Sequence, residues 1–292
     1  MSLRRLINVG WTPWHVIGAV AMAVVGVVAT LPAWSDIMAF AAKDEEASHI
    51  FLVPIVAAWM AWVRQARIRY CAPRGQYIGP MLVAAGWALY AYGFNRNFQS
   101  AWHFGAVLVV LGCILSVLGK NVLIRFLPAF AVLVFLVPVP GTVRQEISMP
   151  LQTATAAGTQ AMLEILGVPL DRSGNVLSIN GVAVAVAEAC NGLRMVFALV
   201  LVSYAFAFSL PLRTSVRVIV LLASPLAAIG CNIIRLMPTV WLYGYSSEAV
   251  ADRFHDISGW LMLPIAFMLL LGIVRILRWA LVPVAKFNLA YH

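Results

Sequence analysis

The sequence Glu188-Ala189-Cys190-Asn191-Gly192-Leu193-Arg194 runs straight into an almost wholly apolar stretch from Met195 to Leu210. Before it, residues 171–187 alternate and turn like a β-hairpin. The apolar stretch is close to the roughly 20 residues that a helix needs to cross a bilayer. A cysteine at such a junction lies at the water–lipid boundary. There it can ionise and also meet a membrane-anchored substrate. The bland alternative is a small buried residue, because free cysteines are among the most buried side chains.

Composition extends this reading to the whole chain. Of 292 residues, 63% are hydrophobic and only 11% are charged, against about 25% charged in soluble domains. The expectation is an all-α polytopic membrane protein, a single integral membrane domain over residues 1–292, with a small outward β-hairpin before Cys190. Eight spans are expected, at about 13–33, 49–63, 79–95, 102–119, 122–139, 192–210, 215–243 and 256–277. Residues 141–190 form the longest stretch between spans. Within it, 143–167 reads as a helix of mixed polarity on the membrane surface, kinked or started by Pro150. Asp171 to Asn175 reads as a turn. Val176–Ile179 and Val182–Val186 read as strands joined by Asn180-Gly181, a strong hairpin signal.

A net charge of +9 would suggest nucleic acid in a soluble chain. Here no nucleic-acid partner is expected, and the basic residues set orientation instead. With the N-terminus inside and eight crossings, Arg4, Arg5, Arg64, Arg67, Arg69, Arg74, Lys120, Arg125, Arg213, Arg217, Arg275, Arg278 and Lys286 fall on the inner side. Every acidic residue falls outside. Both termini are then cytoplasmic and residues 141–190 face outward. Met1 to Arg5 precede the first span without a cleavage site, so a retained anchor is expected. Cysteines 71, 113, 190 and 231 make no CxxC pair, so no metal site is expected, and no organic cofactor.

In this orientation three reactive residues share one side. Cys190 precedes the sixth span. Arg235 lies 18 residues beyond Arg217, about 27 Å along a helix, near the outer edge of the bilayer. His255 opens the eighth span in Arg253-Phe254-His255-Asp256. Chemistry links the three types. A thiolate attacks a carbonyl, a histidine pairs with the thiol and protonates the leaving amine, and a cation holds the oxyanion. Arg235 snorkelling to headgroups and His255 sitting in the interface are the plain alternatives. Arg194, one turn after Cys190, competes with Arg235 as oxyanion donor. Glu188 either orients a partner or is a solvated strand end. Asp256 reads as a charge near a helix N-terminus. Asn232, one turn before Arg235, suits a hydrogen bond within the bundle. Cys231 reads as a packing residue. His49 is the second-choice histidine, and His15 and His103 read as interfacial.

Together, Glu188-Ala189-Cys190-Asn191-Gly192-Leu193-Arg194, Asn232-Ile233-Ile234-Arg235 and His255 resemble the signature regions of the exosortase/archaeosortase family. Ser48-His49-Ile50-Phe51-Leu52-Val53-Pro54 and Phe135-Leu136-Val137-Pro138-Val139-Pro140 are similar to further stretches of it. Asn191 stands where the family has serine, which bears on subfamily and not on chemistry. The resemblance implies a multi-span cysteine protease/transpeptidase of the bacterial inner membrane, with its site facing the periplasm. Its implied partners are membrane-anchored proteins ending in a sorting signal, that is, a short motif such as Pro-Glu-Pro, an apolar span and a basic tail. Such systems accompany exopolysaccharide production. The implied catalytic residues are Cys190, Arg235 and His255, with Glu188, Asn191, Arg194 and Asn232 in support. Two rivals stand beside it: a transporter or polysaccharide-export component, and an enzyme acting on polyprenyl-linked sugars. The first calls for ionisable residues deep in several spans, which are scarce here. The second calls for outward carboxylates or a metal cluster, and Asp44-Glu45-Glu46 has no histidine motif beside it.

Overall fold

In an apolar environment backbone N–H and C=O groups have no partners but one another, so apolar stretches fold as helices. The structure, a computed structural model, describes residues 10–73, 77–186 and 192–280. Among the described residues each of the eight apolar stretches carries helix, and a three-stranded sheet lies between the fifth and the sixth. Glu46–Val63, Gln99–Leu118 and Thr214–Tyr245 are each long and apolar enough by themselves to cross a membrane. The described chain forms two compact units, residues 10–140 with 208–211, and residues 141–207 with 212–280.

In the first unit, α1 (Pro13–Ala29) and α2 (Leu31–Lys43) are bent by 80° at Thr30. The expected span 13–33 therefore breaks. Pro32 sits in the first turn of α2, where its missing N–H is harmless, but it cannot continue the hydrogen bonds of α1. The Thr30 hydroxyl donates to the Gly26 carbonyl at 2.7 Å and accepts from the Trp34 indole at 3.0 Å. The acidic stretch Asp44-Glu45-Glu46 is part of a helical turn. The Asp44 carboxylate accepts from the Glu46 amide at 2.9 Å and starts a 3₁₀ helix, Glu45–Leu52, that leads into α3 (Val53–Val63). His103 is buried, and its Nε2 lies 2.9 Å from the Asp36 carboxylate on α2. Cys71 is buried too, and that burial pushes its thiol pKa up.

The next two helices, α4 (Ile78–Asn95) and α5 (Gln99–Leu118), lie antiparallel and in backbone contact. Gly79, Gly86 and Gly93 recur every seventh residue on α4, and Gly105 and Gly112 do so on α5. A methyl group on Gly86 would lie 2.8 Å from the Val109 amide nitrogen, and one on Gly112 would lie 2.6 Å from that of Val83. Small residues at this spacing let two helices approach to the backbone, where dispersion replaces the hydrophobic driving force that lipid cannot supply. Gly86→Val is expected to lose most of the folded protein, since overpacking costs about 1–3 kcal/mol even where side chains give way. Gly141→Ala, which meets open space, should melt like the parent. Thermal unfolding in detergent compares them, and equal melting would refute this account of the helix pair. After α6 (Lys120–Ala131) and a 3₁₀ turn, Val137-Pro138-Val139-Pro140 closes the unit.

In the second unit, α7 (Gly141–Ile165) is followed by β1 (Asp171–Ser173), β2 (Val176–Ile179) and β3 (Val182–Ala185). Then come α8 (Leu193–Ser209), α9 (Thr214–Tyr245) and α10 (Glu248–Ala280). The strand order is β1-β2-β3, all antiparallel. Asn180 and Gly181, at φ 50° and 80°, make the expected two-residue turn. The residues read as a turn at 171–175 are instead a strand, paired Asp171↔Ser178 and Ser173↔Val176, with only Gly174-Asn175 turning. Leu177 and Ile179 point one way from β2 into a core with Leu163, Leu236 and Val240. The Asn175 amide donates to Gln152 at 2.9 Å and that of Asn180 to the Gly244 carbonyl at 3.1 Å. The sheet is thereby fixed to α7 and to the end of α9.

Candidate active site

The three stretches singled out in the sequence are linked through two glycines. Gly192 has φ +78°, a conformation that suits glycine. A methyl group on it would lie 2.8 Å from Cγ of Asn232, which is fully buried on α9. One turn on, Arg235 is only 6% exposed. Its side chain reaches α10, where a methyl group on Gly259 would lie 3.4 Å from Arg235 Nη1. Gly259 stands one helical turn beyond His255. The backbone two residues after Cys190, the Arg235 guanidinium and the His255 turn therefore occupy one region of the unit. Glu188, Cys190 and Asn191 lie outside the described residues. Arg194 is half-buried in the first turn of α8.

His255 does not open its helix. Ser246-Ser247 ends the α9–α10 connection, and the Ser247 carbonyl accepts from the Val250 amide at 3.0 Å and that of Ala251 at 3.1 Å. The helix starts at Glu248, so His255 sits about two turns inside it and Asp256 is an exposed interior residue. The carboxylate of the first turn is Glu248. The start is signalled in the sequence by serines followed by an acidic residue.

His255 lines a cavity of about 510 Å³. Its other walls are β3, with Leu236, Thr239 and Tyr243 of α9, and Ser246 and Glu248. The Tyr243 hydroxyl donates to the Asp252 carboxylate, which ties the end of α9 to the start of α10. Within their own helices the Thr239 hydroxyl donates to the Arg235 carbonyl at 2.9 Å and that of Ser258 to the His255 carbonyl at 3.0 Å. Sequence reasoning passed over Tyr243, Glu248, Gly192 and Gly259. Cys71, Cys113 and Cys231 are buried free thiols. His49, in the other unit, is buried, with Nδ1 3.0 Å from the Glu46 carbonyl. Among the described residues no cluster of His, Cys, Asp and Glu has the makeup of a metal site.

The pattern of the transmembrane exosortases matches residues 34–272, most of the chain. The chain belongs to the exosortase family. This is a family of transmembrane processing enzymes, and with its apolar helices the chain is a multi-pass membrane protein. The matched region contains every stretch named above, from Ser48 to His255. No curated protein and no solved structure matches the chain.

Proposed function

We propose that this exosortase is a cysteine peptidase/transpeptidase that cuts membrane-anchored proteins at a C-terminal sorting signal, within an exopolysaccharide-linked sorting system. It works at the periplasmic face of the bacterial inner membrane, with both termini in the cytoplasm. The observation that supports this most is that Gly192 lies against Asn232 and Gly259 against Arg235, one turn apart on α9, so that the segment following Cys190 and the helix of His255 meet the same stretch of α9. In this reading the Cys190 sulfur attacks the scissile carbonyl and its proton passes to His255. Arg235 holds the oxyanion, with Arg194 as the competing donor. A cation in a poorly hydrated site acts there through a weaker dielectric screen than in water. The C–N bond then breaks, the amine leaves with the proton from His255, and an acyl-thioester stays on Cys190. Water or an amine attacks that thioester and frees the thiol.

Hydroxylamine tests the thioester directly. Added to membranes that are processing a tailed reporter protein, it should yield a reporter whose new C-terminus is a hydroxamate, visible by mass. Cleavage that gives only the free acid at every hydroxylamine concentration would count against a thioester. The cation is tested separately. Arg235→Lys keeps the charge but loses the planar fork, so processing should fall more than tenfold. Arg213→Lys, at the start of α9, should cost little. Equal tolerance at both positions returns Arg235 to an anchoring role.

A further inference from the structure

The two edges of the small sheet are built differently. The β1 edge carries Asp171 and Arg172, and the Arg172 guanidinium donates to Gln160 at 2.9 Å and to the Gly174 carbonyl at 2.8 Å. Charges of this kind blunt an edge against pairing with another chain. The β3 edge reads Val182-Ala183-Val184-Ala185, with no charge and no proline. All four residues line the cavity that holds His255.

The register says which groups that edge presents. Ile179 and Val182 flank the two-residue turn and are paired, so they exchange both their hydrogen bonds. The alternation then makes Leu177↔Val184 the next bonded pair. The Val186 amide donating to the Asn175 carbonyl at 2.9 Å continues the same phase. The N–H and C=O groups of Ala183 and Ala185 therefore point away from β2. Two donors and two acceptors, on alternate residues, are what an extended main chain matches.

We infer that β3 takes up an extended segment of the substrate, next to its scissile bond, as a fourth strand bonded to Ala183 and Ala185. This rests on the peptidase reading and deepens it. The cavity places that strand alongside His255, and the small side chains of Ala183 and Ala185 leave the edge open. Recognition would then lie largely in the substrate's backbone at alternate residues.

The test uses the full-length enzyme in membranes and a reporter protein ending in a Pro-Glu-Pro-like motif, a short linker, an apolar span and a basic tail. Each of the six reporter residues before the cleavage point is changed to proline, and separately to alanine. Strand addition predicts that proline loses at least tenfold more processing than alanine at every second position, and less than twofold more between them. On the enzyme, Ala183→Pro removes an outward N–H without touching the β2–β3 bonds, a position where strands tolerate proline. It should raise KM at least fivefold with kcat kept and melting unchanged. A photo-crosslinker at Ala183 should capture the reporter. No alternation in the scan together with a normal Ala183→Pro overturns the strand while leaving the peptidase intact. Capture of only a second enzyme copy overturns it as well. An unmodified enzyme that cleaves no tailed reporter overturns both readings.

Discussion

Cys190→Ala is expected to abolish processing while the protein stays inserted and abundant. The substrate should then persist with its apolar tail attached, because no other group in the proposed scheme can form the acyl intermediate. Cys113→Ala and Cys231→Ala remove buried thiols and should still process, since such cysteines behave as small apolar residues. Cys190→Ser is the sharper experiment. It is nearly isosteric, so folding should survive, yet a hydroxyl is far harder to ionise than a thiol. Severe loss is expected there too. The readout is the ratio of cleaved to full-length substrate on an immunoblot, with enzyme level measured in the same membranes. Near-normal cleavage by a well-expressed Cys190→Ala protein would end the cysteine mechanism.

The second large effect is expected at Gly192, which touches no substrate in the proposed scheme. Gly192→Ala asks an L-residue to hold φ +78° and sets a methyl group 2.8 Å from the Asn232 side chain. Asn232 is fully buried and cannot retreat without moving α9, where Arg235 follows one turn on. A displacement of about 1 Å at a catalytic group is worth on the order of 100-fold in rate, and a loss of that size is expected. Gly174→Ala supplies the control. It demands φ +62° but meets open space, so it carries the backbone penalty without the collision and should process nearly normally. Asn232→Ala in the Gly192→Ala background makes room and should recover part of the loss. Equal loss in Gly192→Ala and Gly174→Ala would leave only backbone strain.

The local signals in the sequence translated well. Apolar runs gave the helices, and Asn180-Gly181 gave the turn between β2 and β3. What depends on a partner elsewhere in the chain did not. Asp171-Arg172-Ser173 has no strand propensity of its own and is extended because β2 pairs with it. Nothing near His103 in sequence announces Asp36, which is 67 residues away. Other features were legible and passed over. Pro32 marked the break after α1, and the seventh-residue glycines marked the α4–α5 contact. At the site, Arg235 and His255 could be grouped by chain order and depth. The linking roles of Gly192 and Gly259 could not, because a glycine's function lies in whatever side chain occupies the space it leaves free.

In the proposed scheme the glycine contact between α4 and α5 also bears on how a tethered substrate would arrive. A protein held in the bilayer by its own helix must slide sideways through lipid to be cut. That helix is about 10 Å across with its side chains, while the backbones of α4 and α5 already touch at both ends and at the middle of their crossing. No lateral gate can open along this seam without parting every glycine in it. In the proposed scheme the tethered helix does not enter between α4 and α5, which form one fixed wall.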